Sequence, residues 1–157
     1  MDYNGVALTF QGGVTTGDAD AQWHSSTFTE QPRFKWNDDG ATRLVLAKRT
    51  YSNVMVGDIV CKYGITRGYQ CGSVEQKDYD IDGFFGPYSA KWIEVAACGG
   101  ADLADDGDSG GPAFFQNTAI GMVTHDSTGD VFCNNKMLVN SLTHFQTVLG
   151  ITVLVSP

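Results

Sequence analysis

Apolar and polar residues alternate in short runs along most of the chain, which is the pattern of β-strands with one buried face. Turns rich in glycine, aspartate and asparagine, such as Asn37–Gly40, separate these runs. Many short strands with turns between them predict an all-β barrel or sandwich. The predicted strands are Val6–Phe10, Thr42–Lys48, Asp58–Lys62, Lys91–Ala96, Pro112–Phe115 and Ala119–Thr124.

The period of the apolar residues changes near the end of the chain. Four apolar residues from Leu138 to Leu149 recur at intervals of three or four, and Gly150 suits a helix C-cap. This pattern predicts one helix over about 137–149 that packs its apolar stripe on the barrel.

The composition is that of a globular domain. The chain has 157 residues, of which 42% are hydrophobic and 18% charged. Ten Lys and Arg against eighteen Asp and Glu give a net charge of −8, with no basic cluster. This balance argues against nucleic acid or an anionic membrane as partner. No apolar run approaches the roughly 20 residues that span a bilayer, so we expect a soluble protein.

The four cysteines favour disulfides over a metal site. Cys61, Cys71, Cys98 and Cys133 form no CxxC pair, and the histidines are not spaced with them as zinc ligands would be. We therefore expect no metal or cofactor, two disulfides and a secreted protein. The residues alone leave all three pairings open.

The segment Gly107–Pro112, with the sequence GDSGGP, carries the most specific chemical signal. A serine between glycines on a tight turn can expose its hydroxyl while neighbouring backbone N–H groups converge on one point. This arrangement suits Ser109 as a nucleophile, with the N–H groups of Gly107 and Ser109 as an oxyanion hole.

These residues resemble the catalytic-serine motif of chymotrypsin-like serine proteases. The segment Val56–Val74 resembles the disulfide hairpin of the bacterial α-lytic protease and streptogrisin branch, and Ala119–Thr124 resembles the strand that follows the serine. The resemblance covers about residues 18–157. It implies a fold of two six-stranded Greek-key barrels with the active site between them, and hydrolysis of peptide bonds in protein or peptide substrates.

The resemblance also implies a disulfide pairing and a substrate pocket. Cys61 would pair with Cys71, and Cys98 with Cys133, so that the second bridge ties the serine loop to the far wall of the pocket. The pocket residues implied are Leu103, Thr124, His125 and Asp126.

The triad implied by the resemblance is incomplete. Asp20, followed by Ala21-Gln22-Trp23, matches the carboxylate that orients the base, with Asp18 as a close rival. The family order is His, Asp, Ser, but no histidine precedes Asp20. His24 follows Asp20 and is interpreted as a strand or loop residue, whereas His125 and His144 favour structural or surface roles.

The N-terminal part of the chain is also too short for the complete two-barrel fold that the resemblance implies. Residues 40–157 suffice for a complete C-terminal barrel with its helix, whereas residues 1–39 suffice only for a remnant of the N-terminal barrel and the linker. We expect the chain by itself to be inactive, as a fragment or shortened form of a serine endopeptidase. The alternative is an inactive homologue that binds partners or self-associates by strand addition at exposed edges.

An acidic loop precedes the serine. Cys98 lies eleven residues before Ser109, farther than in the family, and the segment between them contains Asp102, Asp105 and Asp106. Three interpretations remain open: a preference for a basic substrate side chain, a solvated acidic loop, or a weak calcium site.

Overall fold

A computed structural model describes residues 2–3, 6–14, 21–79, 92–97, 102–127 and 136–157, and the account below concerns these. They contain a 3₁₀ turn at Tyr51–Asn53 and one helix, α1, at Leu142–Leu149. The strands are β1 (Asp2–Tyr3), β2 (Val6–Ala7), β3 (Thr9–Val14), β4 (Ala21–Ser25), β5 (Arg33–Lys35), β6 (Thr42–Leu44), β7 (Ala47–Lys48), β8 (Ile59–Gly64), β9 (Gly68–Tyr79), β10 (Trp92–Ala96), β11 (Pro112–Phe115), β12 (Thr118–Ser127) and β13 (Lys136–Ser141).

Six antiparallel strands close into a barrel. The pairing runs β11-β8-β9-β10-β13-β12, and β12 pairs back with β11 so that no edge remains between them. β7 adds to β12 in parallel from outside this ring. The all-β prediction is thereby confirmed, and the C-terminal part of the chain forms the expected barrel.

The barrel is filled by the inward-facing residues of its alternating strands. Val60, Val74, Ile93 and Val95 have at most 1% of their surface exposed. Burying an aliphatic side chain of this size contributes about 1.5–3 kcal/mol, so the alternation seen in the sequence accounts for the barrel's interior. Leu103, from the loop before the serine, also belongs to this core.

The N-terminal residues form separate two-stranded sheets. β3 pairs with β4, and β5 pairs with β6 in the register Phe34↔Arg43. The ring of Phe34 packs on that of Phe114 in the barrel, with centroids 4.4 Å apart. The division predicted between residues 39 and 40 falls in the turn between β5 and β6, and the assignment of domains stays a prediction.

The predicted helix begins later than expected. Lys136–Ser141 is the barrel strand β13, whose alternate residues Met137 and Val139 point into the core. The prediction of a helix over 137–149 was therefore wrong for its first five residues, because Leu138 fits either period. The helix starts after Ser141, whose hydroxyl accepts a hydrogen bond from the N–H of Thr143 at 3.3 Å, and ends at Gly150 with φ 67°.

No helix among the described residues is both long and apolar enough to cross a membrane.

Candidate active site

Ser109 lies on a tight double turn between the acidic loop and β11. The N–H of Asp108 donates to the carbonyl of Asp105 at 2.9 Å, and the N–H of Gly111 donates to the carbonyl of Asp108 at 3.0 Å. Gly107 and Gly110 flank the serine with φ of 96° and 85°, a region that favours glycine. The turn leaves Ser109 exposed.

The backbone amides around Ser109 fall into two groups. Those of Asp108, Gly110 and Gly111 donate to carbonyls of the protein. Those of Gly107 and Ser109 donate to none of the described residues. The two amides that the sequence motif assigned to an oxyanion hole are thus the two of this turn without an acceptor among the described residues.

The hydroxyl of Ser109 is already engaged with the barrel. It donates a hydrogen bond to the backbone carbonyl of Thr124 in β12 at 2.7 Å. The Thr124 hydroxyl in turn donates to the carbonyl of Leu138 at 3.3 Å. In this state the serine proton is held by a carbonyl oxygen, which cannot accept it in a reaction.

A buried ion pair supports the serine turn from below. Asp108 binds Lys62 of β8, and neither side chain has any exposed surface. The other carboxylate oxygen accepts the backbone N–H groups of Thr66 at 2.8 Å and Arg67 at 3.2 Å. Burial alone would raise the pKa of Asp108, but the hydrogen bonds from Lys62, Thr66 and Arg67 outweigh it and hold that pKa below its ordinary value.

Arg67 binds the acidic loop before the serine. Its guanidinium group lies 2.7 Å from the carboxylate of Asp102 and 2.8 Å from that of Asp105. Two of the three loop carboxylates are therefore paired within the protein. No group of three or more potential metal-binding side chains occurs among the residues that the structure describes.

A cavity of about 720 Å³ lies beside Ser109, between the β3–β4 hairpin and the barrel. Phe10 and His24 line it on the hairpin side, and Ser109 and Thr124 line it on the barrel side. Both ring nitrogens of His24 are buried and find no hydrogen-bond partner among the described residues. As predicted, His24 is a strand residue, and it contacts the edge of Phe10 with centroids 5.6 Å apart.

The disulfide Cys61–Cys71 that the resemblance implied is present, and it joins directly opposed residues of β8 and β9. Cys98 and Cys133 lie outside the described residues, as do Asp18 and Asp20, so their pairing and roles stay predictions.

The predicted pocket residues differ in their surroundings. Leu103 has no exposed surface and lies in the barrel core, out of reach of a ligand in this structure. Thr124 reaches the cavity beside Ser109. His125 and Asp126 belong to β12, and only their backbone is described.

Sequence reasoning missed Lys62, Thr66 and Arg67. A signal for Lys62 was available, because it lies two residues after Val60 and therefore on the inward face of β8. A lysine on an inward face needs a buried counter-charge, and the acid beside the candidate nucleophile supplies one.

The chain is similar to known serine proteases in sequence and in fold. The family model described as Trypsin matches residues 34–149. The chain is similar in structure to a chymotrypsin from Cellulomonas bogoriensis, with a TM-score of 0.73 and 20% identity over 95% of this chain and 76% of that one. It is also similar to Thermobifida fusca protease A, with a TM-score of 0.74 and 22% identity over 95% of this chain and 75% of that one. For an α-lytic protease homologue, N4, the TM-score is 0.67 and the identity 18%, over 94% of this chain and 72% of that one. A search of curated proteins found no match. At these identities the structures establish the fold, which is the predicted chymotrypsin-like one.

Proposed function

Because the chain belongs to the trypsin family of serine proteases, we propose that it forms the serine-bearing part of a secreted endopeptidase. Ser109 is the nucleophile, Asp20 orients the general base, and the N–H groups of Gly107 and Ser109 bind the oxyanion. The observation that carries this proposal is the difference in hydrogen bonding between the backbone amides of the serine turn. Those of Gly107 and Ser109 alone among residues 107–111 donate to no other described residue.

The proposed reaction is an acyl transfer to serine. The Ser109 oxygen attacks the peptide carbonyl carbon, and its proton passes to a histidine base. That base then protonates the departing amine as the C–N bond breaks, and a water molecule releases the acyl group from the serine. During attack the carbonyl oxygen gains negative charge, which the two amides stabilise.

The base itself is proposed to come from a histidine outside these 157 residues. The family order requires a histidine before the aspartate, and none precedes Asp20. The Ser109 hydroxyl would leave the Thr124 carbonyl for the incoming base. The cavity beside Ser109 and the unpartnered nitrogens of His24 are consistent with a segment that packs there in the complete site.

Protein or peptide chains are the proposed substrates. Of the three interpretations of the acidic loop, attraction of a basic substrate side chain loses support from Asp102 and Asp105, since both carboxylates already pair with Arg67 within the protein. Secretion is supported by the disulfide Cys61–Cys71, a bond that persists in oxidising compartments.

The proposal is tested by isolating the native protein from its source and measuring the hydrolysis of labelled casein. A Ser109→Ala variant made in the same gene and host is expected to lose all but the residual roughly 10³-fold catalysis over water that other groups provide. If native protein and variant cleave casein at the same rate, the proposal fails.

A second candidate function is an inactive homologue that assembles through the N-terminal hairpins. Phe10 and Phe28 are each 59% exposed. Among the described strands, β3 and β4 pair only with each other, and a two-stranded sheet is marginally stable in water by itself. This candidate predicts a stable oligomer of the 157-residue chain with no reaction at Ser109. A monomer in sedimentation at micromolar concentration would exclude it.

A further inference from the structure

The tip of the β8–β9 hairpin, residues 64–68, touches the peptide group that carries the Gly107 amide. The hydroxyl of Thr66 donates a hydrogen bond to the backbone carbonyl of Asp106 at 2.7 Å. That carbonyl and the N–H of Gly107 belong to the same peptide group. In a trans peptide they point in opposite directions, so a bond that holds the carbonyl towards Thr66 turns the N–H away from the hairpin.

The contact leaves no room for an alternative side chain at Gly107. A Cβ atom built there would lie 2.8 Å from the Thr66 hydroxyl oxygen, and the φ of 96° disfavours any residue but glycine. The two neighbouring turns are fixed independently of this peptide, through the carboxylate of Asp108 and through the pairing of Arg67 with Asp105. The 106–107 peptide is the central peptide of the turn that the Asp108 N–H closes on the Asp105 carbonyl. The bond from Thr66 holds its carbonyl on the side of the hairpin.

From this geometry we infer that Thr66 is a positioning residue: its hydroxyl sets the orientation of the 106–107 peptide and so aims the Gly107 N–H at the oxyanion. The inference rests on the proposed function for its catalytic consequence, and on the hydrogen bond alone for its structural one. Without the hydroxyl, the Asp106 carbonyl loses its hydrogen-bond donor on the hairpin and the 106–107 peptide can rotate. Every charge of the site is retained.

The test compares three substitutions in the native protein. Thr66→Val keeps the shape of the side chain and removes the hydroxyl, whereas Thr66→Ser retains the hydroxyl. Thr147→Val is the matched control, because the Thr147 hydroxyl also donates to a backbone carbonyl, that of Thr143 at 2.9 Å, on helix α1. The measurements are kcat and KM on a peptide substrate and the crystal structure of each variant.

We expect Thr66→Val to lower kcat by about tenfold or more with KM nearly unchanged, since a misaimed oxyanion donor weakens only transition-state binding. Thr66→Ser and Thr147→Val are expected to keep the wild-type kcat. The 106–107 peptide should be reversed or in two orientations in Thr66→Val alone.

An unchanged kcat in Thr66→Val, or a loss that Thr66→Ser does not rescue, would overturn the inference. If the native protein hydrolyses nothing, the proposed function fails and the crystal structures decide this inference by themselves. A 106–107 peptide that keeps its orientation in Thr66→Val overturns it in either case.

Discussion

The ammonium group of Lys62 binds the carboxylate of Asp108, the residue directly before Ser109, and both side chains are fully buried. A charge removed from water is costly unless it is paired, and this pair compensates both charges at once. This ion pair therefore attaches the serine turn to the barrel, because breaking it would leave an unpaired charge in the protein interior.

Removing one partner of this pair should destabilise the protein strongly. Lys62→Met is expected to lower the free energy of unfolding by about 3–5 kcal/mol, because Asp108 is left as a buried and uncompensated charge. Arg49→Met is the control, since Arg49 pairs with Asp58 at 2.8 Å in a partly exposed position and should cost less than about 1 kcal/mol. Urea unfolding measures both, and equal losses would contradict the account.

The same carboxyl should make stability sensitive to acid. The pKa of Asp108 lies below its ordinary value of 3.8 in the folded protein, because the bonds from Lys62, Thr66 and Arg67 outweigh the effect of burial. A group with a lowered folded-state pKa stabilises fully above its unfolded pKa, and this contribution disappears as the pH falls through the folded pKa.

Urea unfolding between pH 7 and pH 2.5 should therefore show a loss of stability from Asp108 only below about pH 4. In Lys62→Met the largest cause that lowers the pKa is gone, so the decline with acid should be shallower than in the wild type. Parallel curves for the two proteins would count against this assignment.

Gly64 is expected to be required for its lack of a side chain. A Cβ atom there would overlap the carboxylate of Asp108, so Gly64→Ala should displace the serine turn and lower kcat roughly 100-fold. Gly40→Ala is the control, because Gly40 has φ 84° with open space around it. It should cost about 1–2 kcal/mol of stability and leave kcat unchanged. A normal kcat in Gly64→Ala would refute this role.

The hairpin disulfide should contribute measurably to stability. Cys61 and Cys71 are separated by 10 residues, and closing a loop of this size stabilises by roughly 2–3 kcal/mol. The double variant Cys61→Ala/Cys71→Ala is expected to unfold at a correspondingly lower urea concentration. A further loss on adding dithiothreitol to that variant would support the predicted Cys98–Cys133 bridge, and no further loss would argue against it.

The barrel could be predicted from the sequence because alternate residues of its strands are apolar and buried. Strands β10 and β13 place every second apolar residue, Ile93 with Val95 and Met137 with Val139, in one hydrophobic core, and burial of such side chains stabilises the fold. Leu138 shows where this pattern fails, since one apolar residue fits both the strand β13 and the start of helix α1. Only the pairing of β13 with β10 and β12 decides between them.

The candidate site was only partly readable. The GDSGGP motif predicted the roles of the Gly107 and Ser109 amides because the serine and the glycines of its turn all lie within six consecutive residues. Lys62 and Thr66 bind the same turn across separations of 46 and 40 residues along the chain, and no local sequence pattern predicts such a contact. Leu103 was expected in a pocket and lies in the core, because an apolar residue in a loop satisfies either environment.

Reaction of Ser109 with a fluorophosphonate probe tests the central claim most directly. Native protein from the source would be treated with the probe, and its intact mass and labelled peptide read by mass spectrometry. We predict a label on Ser109 of a species larger than the 16.9 kDa of this chain, since the proposed general base is a histidine outside these 157 residues. An unlabelled species of 16.9 kDa would contradict the account and leave assembly as the function to pursue.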